Sequence, residues 1–164
     1  MTFVIRPETP EDHAAIDAVH RGAFGGAAEA ELVGTLRRNG DIVLSLVADA
    51  DEIVGHVAFS RLALSHSPAR ASALAPLAVV KERQRRGIGS SLVREGLNRL
   101  AGSGEDLVLV LGDPAYYGRF GFTTEHAAGL QTPYDGSYLQ ALALTDEGRR
   151  ARGPVRYARP FAEL

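Results

Sequence analysis

The sequence predicts a mixed α/β domain with a mostly antiparallel sheet, one parallel strand pair in its middle, and flanking helices. Four observations carry this. Residues 42–48 and 52–64 are rich in β-formers and are joined by Asp49-Ala50-Asp51, the pattern of an antiparallel hairpin. Residues 71–80, ASALAPLAVV, form an apolar run bounded by polar clusters and read as a buried strand. A polar turn, KERQRR, follows, and then a helix whose Leu92, Val93, Gly96, Leu97 and Leu100 share one face. Finally, Leu107-Val108-Leu109-Val110-Leu111 is an uninterrupted apolar strand reached by that helical crossover, which places it parallel to 71–80.

The remaining elements follow in order. Residues 3–6 form a short strand, after which Thr9 can cap a helix, Pro10 suits its first position, and Glu11 and Asp12 complement its dipole. That helix runs to Phe24, is broken by Gly25-Gly26, and is followed by a second helix over 28–38 ending at Asn39-Gly40. The strand at 71–80 continues the meander after Ser65-His66-Ser67-Pro68. Beyond 107–111 come a brief helix near Tyr116, a turn-rich connection over 130–136, a strand at 138–144 and a last strand at 155–161. The last two are expected to form an antiparallel arm.

At 164 residues the chain is expected to be one domain spanning residues 1–164, large enough to bury roughly 70% of its unfolded surface. A formal net charge of −2 argues against nucleic acid as a partner, so the basic stretch at 81–86 is a local feature. Without cysteine there is no disulfide, thiol nucleophile or thiolate metal site. Neither a secretory leader nor an 18-residue apolar run is present, which leaves no membrane contact and the cytoplasm as the expected location. A homodimer is compatible with this composition.

The join between the 71–80 strand and its helix carries the chemistry. Gln84-Arg85-Arg86-Gly87-Ile88-Gly89 lets a ligand approach the backbone closely, while the unpaired N–H groups of the first helical turn point outward. Lys81, Arg83, Arg85 and Arg86 reinforce the helix dipole, so the turn favours a phosphate-bearing ligand. A nucleotide-triphosphate P-loop is excluded because Gly89 is followed by Ser90-Ser91 and not Lys. A dinucleotide fingerprint fits poorly: Leu92 stands where a third glycine is needed, and Glu105 and Asp106 precede the next strand. What remains is a Q/R-x-x-G-x-G pyrophosphate loop or a chance glycine-rich helix start.

A second motif weighs against chance. Tyr116-Tyr117-Gly118-Arg119-Phe120-Gly121-Phe122 follows about 30 residues later, after the 107–111 strand. Together the two resemble the GNAT acetyltransferases, which carry Q/R-x-x-G-x-G and then Phe-Tyr-x-x-Leu-Gly-Phe in this order. The stretch from Val110 to Phe122 is similar to a YhbS-like subgroup. The resemblance implies the GNAT fold, with the parallel pair splayed, and acetyl-CoA as cosubstrate. Its pantetheine arm would lie along backbone groups of Leu77, Ala78 and Val79, and its pyrophosphate would be held at Gln84, Arg85, Arg86, Gly87, Ile88, Gly89 and Ser90. Pro76, which lacks an N–H, suits either a splayed strand or an ordinary bulge. Val110 stands where many members carry an Asn seven residues before the motif tyrosine, so that contact does not carry over.

The resemblance further implies acetyl transfer to a primary amine, small-molecule or peptide, by direct attack in a ternary complex. Tyr117 matches the tyrosine that protonates the leaving thiolate, and Tyr116, about 100° away on a helical turn, is expected in the core. A phenol of pKa about 10 facing a thiol of about 8.5 makes that transfer uphill by roughly 2 kcal/mol. An alkylamine must also lose a proton, for which Glu29, Glu31 and His56 are candidates beside their blander readings as surface charges and a satisfied, half-buried histidine. The competing readings are a catalytically silent acyl-CoA sensor and, third, a nucleic-acid binder built on Lys81 to Arg86. Five histidines with no i, i+4 pair do not predict a metal site.

Overall fold

The edge strand β1 (Val4–Pro7) pairs antiparallel with β2 (Ile42–Asp49), which continues through β3 (Ile53–Leu64) and β4 (Ala71–Val79) as a meander. These elements come from a computed structural model that describes residues 2–134 and 136–163. Between β1 and β2 stand α1 (His13–Phe24) and α2 (Ala28–Arg38), separated where Gly25 takes a φ of 73°. The next helix, α3 (Ile88–Gly102), crosses to β5 (Leu107–Leu111), which runs parallel to β4. Then follow α4 (Pro114–Tyr117), α5 (Thr124–Ala127), β6 (Leu130–Gln131), β7 (Leu139–Ala143), α6 (Asp146–Arg150) and β8 (Gly153–Arg156). The main sheet runs β1-β2-β3-β4-β5-β7, so the parallel pair sits among antiparallel neighbours, as the sequence predicts.

The C-terminal third departs from expectation. Instead of forming one arm with β8, β7 joins the main sheet beside β5, whereas β8 pairs with the far end of β3 and, in parallel, with β6. What separates them is α6: Thr145 Oγ1 accepts a hydrogen bond from the Gly148 N–H and donates to Asp106 Oδ1 at 2.7 Å, so the chain turns into a capped helix. The last strand stops at Arg156, and Arg159–Glu163 form a 3₁₀ turn around Pro160, which has no N–H for a ladder. The connection at 130–136 begins with β6; Asp135 lies outside the described residues. The unanticipated α5 is capped by Thr123, whose hydroxyl oxygen accepts from the His126 N–H.

One face of the sheet carries α3. Its Leu92, Val93 and Leu100 pack with Leu46, Val57, Phe59, Leu74, Val108 and Val110, each buried leucine contributing on the order of 2 kcal/mol. Gly96 sets how near the helix comes, because a Cβ there would lie 2.5 Å from the Phe59 ring. The opposite face carries α1 and α2 through Ile16, Val33 and Val47, and through Leu32, Leu36 and Phe161.

A bulge in β4 creates the site. Val57 and Phe59, two apart on β3, face Leu77 and Leu74, three apart on β4, so Ala75 and Pro76 share one partner position. The extra residue resets the alternation: Leu74 and then Leu77 and Val79 all pack towards α3. Pairing with β5 ends at the same place, at Leu74↔Val110. Beyond it the edge of β4 that faced β5 carries no strand, which is the expected splay, with the bulge as its cause.

Candidate active site

A cavity of about 510 Å³ lies along that free edge, bounded by the turn after β4, the start of α3 and the segment around α4. Leu77, Ala78, Val79, Gln84, Arg85, Gly87, Ile88, Gly89 and Ser90 all line it, which brings together the cradle residues read from the sequence with one exception. Arg86 is exposed and lies outside the lining. Arg83, Tyr116 and Arg119 line it as well; of these the sequence placed only Arg83 at the anion-favouring turn, and it expected Tyr116 in the core.

Local structure explains the cradle. Gly87 caps α3 with a φ of 85°, a left-handed conformation that glycine adopts without steric cost. The first helical hydrogen bond runs from the Ser91 N–H to the Gly87 carbonyl, so the N–H groups of Ile88, Gly89 and Ser90 have no acceptor within the helix. Gln84 folds back, its Nε2 donating to the Val79 carbonyl at 3.0 Å, and so ties the turn to the end of β4. Three guanidinium groups and no carboxylate line the cavity, which makes it an anion-favouring space.

The segment after β5 supplies the opposite wall. Asp113 caps α4 by accepting from the Ala115 N–H at 2.9 Å, with Pro114 at the first helical position. Arg119 donates to Ser90 Oγ at 3.0 Å and its guanidinium lies 4.6 Å from the Tyr116 ring centre. The Tyr116 hydroxyl is 3.3 Å from Ser90 Oγ, and a Cβ on Gly89 would come within 3.3 Å of it.

The expectation that Tyr116 belongs to the core is therefore corrected: its hydroxyl reaches the start of α3. Tyr117 instead packs against the α3-side core, beside Phe120 and Phe122, with its ring on Gly112 just after β5. The rings of Tyr116 and Tyr117 are nearly perpendicular, 5.0 Å apart. Adjacent helical positions do diverge, as the sequence reading holds, but that reading gave the ligand-facing side to Tyr117, and it is Tyr116 that lines the cavity. Burial, with the Tyr116 phenol next to it, pushes the Tyr117 hydroxyl up to about 12.

A second polar cluster lies on the α1 side of the sheet. His20 Nε2 and His56 Nδ1 are 2.8 Å apart, His56 Nε2 and Ser45 Oγ 2.7 Å, and Ser45 Oγ donates to Glu8. Glu8 also accepts from Arg37 Nε at 2.9 Å and faces His13 Nε2 at 2.9 Å. Burial raises the Glu8 carboxyl, but His56, 3.6 Å away, and the bonds from Arg37 and Ser45 outweigh it and hold it well below the usual carboxylate range. An ionised Glu8 can only accept, which orients the chain: Ser45 gives it its one proton, so His56 donates from Nε2 and His20 from Nε2. His20 Nδ1 is left as a buried lone pair without a partner. Burial lowers both imidazoles, His20 to about 3 with His56 beside it as a second cause.

His56 is thus fully buried and hydrogen-bonded on both nitrogens, more enclosed than the half-buried histidine expected. Glu29 is half-buried and Glu31 exposed, and neither lines the cavity along β4. Glu105 spends its charge on Arg61, at 2.7 and 3.0 Å, and on Arg70 at 3.1 Å. Among the described residues no group of three His, Asp or Glu side chains could hold a metal ion, and no helix is long and apolar enough to cross a membrane.

Known proteins share this arrangement. The model of the GNAT acetyltransferase domain matches residues 4–124. The uncharacterised N-acetyltransferase YhbS of Escherichia coli K12 is 39% identical over 164 residues, covering 97% of this chain and 98% of that protein. A crystal structure of E. coli YhbS in complex with CoA superposes with a TM-score of 0.91 at 38% identity, covering 98% of this chain and 92% of the other. A GNAT family acetyltransferase from Brucella melitensis in complex with acetyl-CoA gives 0.83 at 35% identity, with 98% of each chain covered. With the match extending over most of its length, from the β1 edge past the second motif, the chain belongs to the GNAT acetyltransferase family.

Proposed function

We propose that the cavity along β4 binds acetyl-CoA and that the protein transfers the acetyl group to a primary amine in a ternary complex. One observation carries the reading: the unpaired edge of β4 at Leu77, Ala78 and Val79 runs directly into the free N–H groups of the α3 start. A pantetheine arm can extend the sheet there by backbone hydrogen bonds, and a diphosphate can take the helix N-terminus. The relatives solved with CoA and acetyl-CoA support the choice of ligand. Gln84, Arg85 and Gly87 to Ser90 would hold the diphosphate, with Arg86 adding long-range charge only.

In this reading the amine nitrogen attacks the thioester carbonyl, the tetrahedral oxyanion collapses, and the C–S bond breaks. The ammonium loses a proton and the departing thiolate gains one. Tyr117 is the proposed donor, because its ring rests on Gly112 at the end of β5, where the two parallel strands have parted. Its raised pKa keeps the phenol protonated but makes transfer to a thiolate of about 8.5 uphill by roughly 5 kcal/mol, more than the sequence suggested. Tyr116 provides a second reading, favoured by its place in the cavity lining; its proximity to Ser90 instead suits the diphosphate end.

Paired variants decide between them. In a free-CoA release assay Tyr117→Phe should lower kcat on the order of 10²-fold at nearly constant acetyl-CoA affinity, whereas Tyr116→Phe should weaken that affinity and spare kcat. The reverse pattern assigns the proton to Tyr116. A Tyr117→Phe enzyme with full turnover would remove Tyr117 from the chemistry.

A further inference from the structure

A second cavity, of about 490 Å³, opens between the β6–β7 connection and the chain from the end of β8 onward. Tyr134, Tyr157 and Phe161 form its aromatic wall, Tyr134 and Tyr157 edge to face at 5.0 Å and Tyr157 and Phe161 at 5.4 Å. Phe161, with Leu32 and Leu36, makes an apolar cluster against which Tyr157 and Ala75 also pack. Ala75 is the bulged residue at which β4 leaves β5. The apolar cluster behind that wall thus reaches the strand about 7 Å, two residues, before Leu77 enters the first cavity, on the sheet face that carries α2.

Charge gives this cavity a preference. Arg156 and Arg159 line it with exposed guanidinium groups, neither makes an ion pair among the described residues, and no described carboxylate lines it. Flat aromatic walls bind an aromatic or apolar body, and unpaired guanidinium groups bind a carboxylate, bidentately where geometry allows. The same two cations disfavour an ammonium ion nearby and so lower the pKa of a bound amine, helping it reach the neutral form that attacks. Burial pushes the Tyr157 hydroxyl up to about 12, which keeps it a hydrogen-bond donor.

We infer that this second cavity is the acceptor site and that its acceptor is a small aromatic amine carrying a carboxylate, of the aromatic α-amino-acid class. Tyr134, Tyr157 and Phe161 hold the ring, Arg156 and Arg159 hold the carboxylate, and the amine is directed at the splay. This rests on the reading of the first cavity as the acetyl-CoA site, and it supplies the acceptor class which that reading left open.

The test uses the full chain with acetyl-CoA and four acceptors: phenylalanine, phenylalaninamide, phenethylamine and alanine, followed by free-CoA release. Phenylalanine should exceed each of the others at least 10-fold in kcat/KM. The Arg156→Gln, Arg159→Gln double variant should bring the phenylalanine-to-phenethylamine ratio towards one through KM, with the Kd for acetyl-CoA unchanged by calorimetry. Equal use of phenylalaninamide or phenethylamine, a preference that survives the double variant, or acetyl-CoA binding without turnover of any of the four would overturn the acceptor assignment while sparing the first cavity. Absence of acetyl-CoA binding to the wild-type protein would overturn both.

Discussion

The cavity along β4 and the histidine cluster on the opposite face are both dense in polar groups, yet they differ in how those groups are partnered. Along β4 the N–H groups at the start of α3 lack acceptors within the helix, and Arg85 and Arg119 face open space with no acid lining it. In the cluster the donors converge on Glu8, from His20 through His56 and Ser45 and directly from Arg37, and both His20 and His56 are fully buried. The larger pKa displacements belong to the cluster. Perturbed titration marks functional sites only in combination with access, and here access separates the proposed ligand site from a buried network.

Substitutions in the two regions should therefore fail differently. Glu8→Ala leaves Arg37 and Ser45 without their acceptor and should cost about 3 kcal/mol of stability, read from urea unfolding, with acetyl-CoA affinity of the folded protein unchanged. A weakened affinity in that variant would join the two regions into one.

The cluster also sets a pH dependence. In the unfolded chain both imidazoles bind protons near pH 6.5, whereas in the folded chain burial lowers both, His20 to about 3. The unfolded state then holds more protons across that interval, so stability is full above about pH 6.5 and is lost as pH falls towards 3. The Glu8 carboxyl, lowered in the folded state, adds loss in the same direction at the acid end. His20→Gln keeps an N–H for His56 and should flatten the decline by up to about 1.4 kcal/mol per pH unit, measured from urea midpoints between pH 7 and 4. An unaltered slope would mean that His20 does not stay neutral in the fold.

The smallest effect concerns Arg119. Removing its charge in Arg119→Gln should weaken acetyl-CoA binding about 5-fold and reduce the salt dependence of the Kd, with the melting temperature unchanged, because the side chain is exposed and its contacts to Ser90, the Tyr116 carbonyl and the Tyr116 and Phe120 rings are all at the surface. Equal salt dependence in the two proteins would confine Arg119 to packing.

What could be read in the sequence follows from range. The βαβ unit and the cradle residues from Gln84 to Ser90 are local: glycine at a helix start and an apolar run before it have the same consequence wherever they occur. The faces of Tyr116 and Tyr117 are not local, because a four-residue helix has no periodicity from which to read a phase, and Gly112 and Ser90 fix the two rings from outside it. Arg119 escaped notice for the same reason, its meaning lying in Ser90, 29 residues away. The histidine chain joins His20, Ser45 and His56 from α1, β2 and β3 to Glu8 in the loop after β1, and no spacing announces it. In the C-terminal third, pairing partners depended on where α6 placed the chain, which Thr145 and Asp106 decide together.

The reading of the β4 cavity is tested most directly by calorimetric titration of wild-type and Gly89→Glu proteins with acetyl-CoA. Gly89 sits in the first turn of α3, where a glutamate would bring bulk against the Tyr116 hydroxyl and a negative charge to the proposed diphosphate position. The wild-type protein should bind one acetyl-CoA, and Gly89→Glu should bind none detectably while keeping the wild-type circular dichroism and a cooperative melt. Equal affinity in a folded Gly89→Glu protein would contradict the assignment of the cradle.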